Sequence, residues 1–117
     1  MAAVTEISTV ILVTDETFEA EVIRSTLPVV VDFYADWCGP CRSAEPVLEE
    51  LSSSLAGRVK FAKVNVDESG AVTRSFGIHS IPTYLFLERG REKGREIGAV
   101  AGPSEFRSVL KRYFSFA

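Results

Sequence analysis

The spacing of apolar residues divides this chain into segments with the lengths of strands and helices. Residues 29–35 form a short and nearly continuous apolar run, which is typical of a central strand covered on both faces. Directly after this run, apolar positions recur every three or four residues from 41 to about 56. That spacing predicts a helix, and Gly57 is the expected stop.

The same reading extends to the rest of the chain. Further strands are expected at 9–13, 59–66, 83–87 and 97–100, and the charged stretch 88–96 reads as a hairpin. Three more helices are expected, one after a cap at Thr14 or Asp15, one capped by Asp67 and one opening at Gly102. The order predicts an α/β fold with a five-stranded mixed sheet flanked by four helices. We expect one domain over 1–117, with 1–8 as a loose lead-in.

Two cysteines lie where the central strand passes into the long helix. Unpaired N–H groups and the helix dipole at such a position favour a thiolate, and Cys38 and Cys41 are close enough in sequence to form a disulfide. Pro40 suits the first helical turn because it has no N–H to leave unpaired. The rival interpretation is a structural zinc site, but that needs four ligands and His79 is the only other Cys or His. The pattern therefore favours a reversible redox pair without a metal.

The two cysteines belong to a set of residues that matches one known family in order along the chain: Asp32, Trp37, Cys38, Gly39, Pro40, Cys41, Lys63, Ile81, Pro82, Thr83, Gly98 and Ala99. With these residues the chain resembles the thioredoxin family. The resemblance runs from about residue 11 to about residue 113 and implies the thioredoxin fold and a protein-disulfide reductase. It further implies a redox-active disulfide with no bound cofactor, disulfide-bearing client proteins, and a thioredoxin reductase as recycling partner. Cys38, nearer the exposed loop, is expected to attack and Cys41 to resolve the mixed disulfide.

Asp32 is a carboxylate inside an apolar strand. Burial should raise its pKa toward neutrality, the range that a general acid or base needs, so Asp32 is a candidate proton acceptor for Cys41. The alternative is a buried acid held only by hydrogen bonds. Lys63 lies in another apolar run and is a candidate electrostatic partner of Asp32, or else a lysine that extends along the sheet edge to solvent.

A client-docking surface is predicted beside the cysteines. The resemblance implies a cis bond between Ile81 and Pro82, which would expose the backbone of Ile81 to an extended client segment. The residues expected to form the surface are Trp37, Gly39, Pro40, Ile81, Pro82, Gly98 and Ala99, although Trp37 could instead pack partly in the core.

Net charge and cysteine content limit the binding partners and the compartment that the sequence allows. The formal net charge of −3 and the lack of a basic stripe argue against nonspecific nucleic-acid binding. No apolar run reaches the roughly 20 residues that span a bilayer. The start lacks the pattern of a secretory signal, and a single C-x-x-C suits a reducing compartment. We expect a cytoplasmic monomer, with an organelle after removal of a transit peptide left open.

Two other functions are compatible with the same residues. A disulfide oxidase or isomerase would differ by a more stabilised thiolate and hence a different reduction potential. A binding module, such as a fixed subunit or a holdase, would use the apolar surface without redox chemistry. The intact Cys38, Cys41 and Asp32 argue against the second alternative.

Overall fold

The computed structural model describes residues 9–115, so the predicted lead-in 1–8 lies outside the described residues. It contains the five strands and four helices that the apolar pattern predicts, one of the helices being a π-helical segment. The strands are β1 (Ile11–Leu12), β2 (Val29–Tyr34), β3 (Lys60–Asn65), β4 (Thr83–Glu88) and β5 (Arg91–Ile97). The helices are the π-helical segment Glu19–Ile23, α1 (Gly39–Ser54), α2 (Gly70–Ser75) and α3 (Pro103–Tyr113).

The five strands form one mixed sheet in the order β1-β3-β2-β4-β5. Strand β3 runs parallel to both β1 and β2, whereas β4 is antiparallel to β2 and to β5. The predicted arrangement, parallel strands first and an antiparallel hairpin at one edge, is therefore confirmed. Strand β2 lies at the centre, which explains its nearly continuous apolar sequence.

Alternate side chains of the sheet face two separate apolar layers. One layer lies beneath α1 and α3 and includes Val30, Leu51 and Phe106. The other lies beneath the π-helical segment and α2 and includes Val31 and Val22. Because both faces of the sheet are covered, a polar group on a central strand is enclosed by protein on either side.

The last strand differs from its predicted position. It covers Arg91–Ile97, mostly charged residues, rather than 97–100. As the edge strand it leaves its first three residues exposed, so apolar alternation is missing from its sequence. The tight turn before it uses Arg89 at φ 52° and Gly90 at φ 78°, the positive-φ pair that suits a two-residue hairpin.

Two predicted helix caps are also placed differently. Phe18, and not Thr14 or Asp15, is the N-cap of the segment Glu19–Ile23, and Ser69, not Asp67, is the N-cap of α2. The Asp67 carboxylate instead accepts a hydrogen bond from the Trp37 indole at its Oδ2. The side-chain part of the cap of α2 comes from Asp15, whose carboxylate oxygens accept from the backbone N–H groups of Ala71 at 3.3 Å and Val72 at 2.9 Å. Within residues 9–115, no helix is long and apolar enough to cross a membrane.

Candidate active site

A disulfide between Cys38 and Cys41 lies at the junction of β2 and α1. The two Cα atoms are 5.3 Å apart, within the range that a disulfide requires. Both cysteines form a small apolar cluster with Ala35, against which Tyr34 and Ile81 pack. Cys38 is 5% exposed and Cys41 1%, so Cys38 is the sulfur that a partner reaches more easily.

Cys38 is the N-cap of α1, where backbone N–H groups lack partners inside the helix. Its Sγ accepts a hydrogen bond from the backbone N–H of Cys41 at 3.2 Å, and its carbonyl accepts from Arg42 at 3.1 Å. Gly39 and Pro40 form the exposed first turn. After reduction, the same N–H group and the helix dipole favour a thiolate at Cys38 over one at Cys41.

Asp32 lies in β2 on the sheet face that α1 covers, two residues from Val30. It is 3% exposed, and its Oδ1 has no hydrogen-bond partner among the described residues. Burial raises the pKa of Asp32 from 3.8 to about 7; the positive charge of Lys63 opposes this rise and the negative charge of Glu45 adds to it. Asp32 is thus near half-ionised at neutral pH, the condition for taking up and releasing a proton.

A row of polar side chains crosses the sheet at the level of Asp32. In register, Asp32 faces Lys63 on β3 and Tyr84 on β4, and Tyr84 in turn faces Glu96 on β5. The side chains of residues paired in register project from the same face of the sheet, so all four side chains lie toward α1 and α3. The Lys63 ammonium stands 5.3 Å from the centroid of the Tyr34 ring and acts on Asp32 through its charge.

The predicted docking residues come together on one side of the disulfide. The Ile81–Pro82 peptide bond is cis, as the resemblance implied. The backbone N–H of Gly98 donates to the carbonyl of Pro82 at 2.8 Å, which holds the segment with Gly98 and Ala99 beside the proline loop. Pro82 itself is buried, whereas Ala99 is exposed.

Trp37 is 68% exposed and so does not pack in the core. Its indole N–H donates to Asp67 Oδ2 at 2.8 Å, which fixes the ring at the mouth of a groove of about 470 Å³. Ile97, also 68% exposed, adds a second apolar side chain near the proline loop. The groove is lined by Trp37, Val66, Thr73, Ile78, His79, Ser80 and Ile81.

Three residues near the site were missed by the sequence reasoning. Tyr84 adjoins Asp32 only because of the β2–β4 register, which apolar spacing does not specify. Asp67 was assigned to a helix cap, and its contact with Trp37 spans 30 positions. Glu45 could have been found, because it lies four residues after Cys41 and so on the same side of α1.

The two cysteines have no further candidate zinc ligands grouped with them in the part of the chain that the structure describes. Across residues 9–115, no group of three or more His, Cys, Asp or Glu side chains is placed to hold a metal ion. The arrangement instead places an accessible sulfur at a helix N-terminus, a second sulfur one turn inside, and a buried carboxyl group close to neutrality. The two sulfurs can exchange one disulfide for another, and the carboxyl group can accept or return the proton of the resolving thiol.

Comparison with known proteins agrees with this chemistry. The sequence model of the family described as Thioredoxin matches residues 9–112. The chain is 46% identical over 86 residues to the thioredoxin of Rickettsia bellii, covering 74% of this chain and 82% of that protein. It is 43% identical over 93 residues to the thioredoxin of Haemophilus influenzae, with coverage of 80% and 87%. With the thioredoxin of Pyropia yezoensis it shares 42% identity over 103 residues, with coverage of 88% and 95%. The chain therefore belongs to the thioredoxin family of protein-disulfide oxidoreductases, which work through a redox-active disulfide.

Proposed function

We propose that Cys38 is the attacking thiol of this disulfide reductase and Cys41 the resolving thiol. The observation that carries the assignment is the N-cap geometry of Cys38, whose Sγ accepts the backbone N–H of Cys41 at 3.2 Å. A sulfur so placed is stabilised as the thiolate, the nucleophilic form, and it is the more exposed of the two.

The exchange takes two steps. The Cys38 thiolate attacks one sulfur of a client disulfide, which forms a mixed disulfide and releases the other client sulfur as a thiolate. Cys41 then loses its proton and attacks Cys38 Sγ, which re-forms the Cys38–Cys41 disulfide and releases the second client sulfur. Two electrons pass to the client, its two sulfurs take up two protons, and the protein is oxidised.

Asp32 is proposed to accept the proton of Cys41 in the second step. It lies on the sheet face covered by α1, it is enclosed by protein, and burial raises its pKa to about 7. At that pKa the carboxylate is strong enough as a base to assist a thiol and returns the proton readily. Lys63 is proposed to assist by favouring the ionised form, since its charge lowers the pKa of Asp32.

The client is proposed to bind as an extended segment beside Pro82. The cis bond and the exposed neighbours Trp37, Ile97 and Ala99 support an apolar surface next to the disulfide. Backbone pairing with the loop at Ile81 would hold the client in register, as in strand addition. Gly39, Pro40 and Gly98 complete the surface.

Family membership also supports proposals about the recycling partner, the compartment and the assembly of the protein. A thioredoxin reductase would return two electrons to the oxidised disulfide, so the protein would act as an electron carrier between that enzyme and its clients. We propose that the protein works in a reducing compartment, most simply the cytoplasm, because its two cysteines are confined to one C-x-x-C. We further propose that the protein works as a monomer and does not bind nucleic acid or membranes.

Insulin reduction with dithiothreitol as electron source tests the assignment. The wild-type chain should precipitate the insulin B chain quickly, and Cys38→Ser should abolish the acceleration. Equal acceleration by Cys38→Ser would refute the attacking role, whereas no acceleration by either protein would favour a binding module. A measured reduction potential near that of reducing family members, rather than near that of oxidases, would separate a reductase from an oxidase or isomerase.

A further inference from the structure

Tyr84 places a phenol hydroxyl in the apolar layer beneath α1 and α3. The residue is fully buried, and its ring packs edge-on against Phe106 with a centroid distance of 5.3 Å. Among residues 9–115, neither the Tyr84 hydroxyl nor Asp32 Oδ1 has a hydrogen-bond partner. Two buried polar atoms left unpaired in adjacent strands are unfavourable individually, and each calls for a physical explanation.

Tyr84 has two polar neighbours in the row of side chains that crosses the sheet. It lies between Asp32 on β2 and Glu96 on β5. Glu96 is already engaged, because its Oε2 accepts from the Tyr113 hydroxyl at 2.8 Å and from Arg112 Nη1 at 3.2 Å. Facing residues of antiparallel strands have their Cβ atoms only about 4.5–5.5 Å apart. Asp32, whose Oδ1 is unpaired, is therefore the one of these two neighbours with a free acceptor for the Tyr84 hydroxyl.

We propose that the Tyr84 hydroxyl is a positioning group that hydrogen-bonds the ionised Asp32 carboxylate, directly or through one water molecule, before Asp32 accepts the proton of Cys41. This inference rests on the proposed role of Asp32. Tyr84 keeps its own proton, since burial and the charge of Asp32 both raise the pKa of its hydroxyl. A donor directed at a carboxylate favours the charged form and so opposes the effect of burial. Tyr84 thereby keeps more of Asp32 in the acceptor form at neutral pH.

Other charged or titratable groups act on Asp32 from the surrounding elements. Lys63 on β3 lowers its pKa, Glu45 on α1 raises it, and Tyr34 at the end of β2 is itself affected by the charge of Asp32. A Tyr84→Phe variant leaves these groups in place. It removes one oxygen atom and retains the ring that packs against Phe106, so a change in titration reports on the hydroxyl.

The direct test is a carbon-13 NMR titration of the Asp32 carboxyl carbon in the oxidised full chain. Tyr84→Phe should raise the Asp32 pKa by about one unit or more, the effect expected on losing a hydrogen bond to a charged group. Tyr113→Phe is the matched control: it loses the same atom from α3, where its partner is Glu96 on β5, and it should leave the pKa of Asp32 unchanged. An unchanged or lowered Asp32 pKa in Tyr84→Phe, or an equal rise in both variants, would overturn the inference.

A second measurement separates this inference from the proposed function. The pH profile of insulin reduction should have an acidic limb, which Tyr84→Phe moves upward by the same amount as the NMR titration. Asp32→Asn should remove the part of that limb that belongs to Asp32, while the part set by ionisation of the Cys38 thiol remains. If Asp32→Asn leaves the profile unchanged, the proton-acceptor role fails, and with it the catalytic part of this inference. If Asp32→Asn removes the Asp32 part of the limb but Tyr84→Phe does not shift that part, the Tyr84 inference alone fails.

Discussion

Replacing Asp32 with alanine should stabilise the oxidised protein at neutral pH, even though it removes a residue of the active site. The pKa of this carboxyl rises from 3.8 to about 7 on folding because the group is buried. A group with a raised folded pKa contributes favourably to folding below its unfolded pKa, and that contribution is lost as pH rises through the folded pKa. At pH 7 Asp32 is therefore a net cost to the folded state.

The magnitude follows from the shift. About three pKa units at roughly 1.4 kcal/mol each correspond to ~4 kcal/mol at pH 7. Alanine leaves a small void where the carboxyl group was, which removes about 1 kcal/mol from the gain. We expect Asp32→Ala to raise the free energy of unfolding by roughly 3 kcal/mol at pH 7. Near pH 4 the folded Asp32 is protonated and the unfolded one is only about half ionised, so the cost falls below about 1 kcal/mol and the void offsets it. The gain should therefore vanish at pH 4.

Urea unfolding of the oxidised proteins at pH 4 and pH 7, followed by circular dichroism, measures both values. Asp36→Ala serves as control, since Asp36 is exposed and only two residues from the end of β2. The same Asp32→Ala variant should reduce insulin more slowly at pH 7. A variant destabilised equally at both pH values, with unchanged turnover, would mean that Asp32 is a structural acid and would refute the reasoning.

Three further substitutions test separate contacts. Lys63→Met should raise the pKa of Asp32 above about 7, because the positive charge that lowers it is gone; an unchanged NMR titration would exclude the electrostatic role. Asp15→Ala should lower the free energy of unfolding by about 1 kcal/mol through loss of the α2 cap, whereas Glu16→Ala should not, and equal urea midpoints would contradict the cap. Gly90→Ala should destabilise by roughly 1–2 kcal/mol in the same assay, since φ is +78° there and a Cβ would lie 3.1 Å from a backbone oxygen; wild-type stability would show that the turn adapts.

The central part of the fold and the redox pair were predictable because their signals are local. A buried strand at 29–35 followed by a helical apolar period defines the strand-to-helix junction, and Cys38 and Cys41 occupy it. The buried position of Asp32 follows from the same run. The cis bond before Pro82 is different, since it was expected from the family resemblance and not from the spacing of residues.

What sequence reasoning missed depends on contacts between distant segments. Strand β5 is an exposed edge strand whose charged residues carry no apolar alternation, so its start was placed six residues too late. Asp15 caps a helix more than 50 residues away. Tyr84 reads as an ordinary apolar strand residue until the β2–β4 register sets it beside Asp32. Each of these facts requires tertiary pairing, which residue periodicity does not encode.

Trapping of the mixed disulfide tests the central claim most directly. Cys41→Ser, reduced and then mixed with insulin, should accumulate a covalent complex, because the resolving thiol that would release the client is gone. Peptide mapping by mass spectrometry should locate the bond at Cys38, and Cys38→Ser should form no comparable complex. A complex that forms through Cys41 in Cys38→Ser, while Cys41→Ser remains free, would contradict the assignment of the attacking thiol.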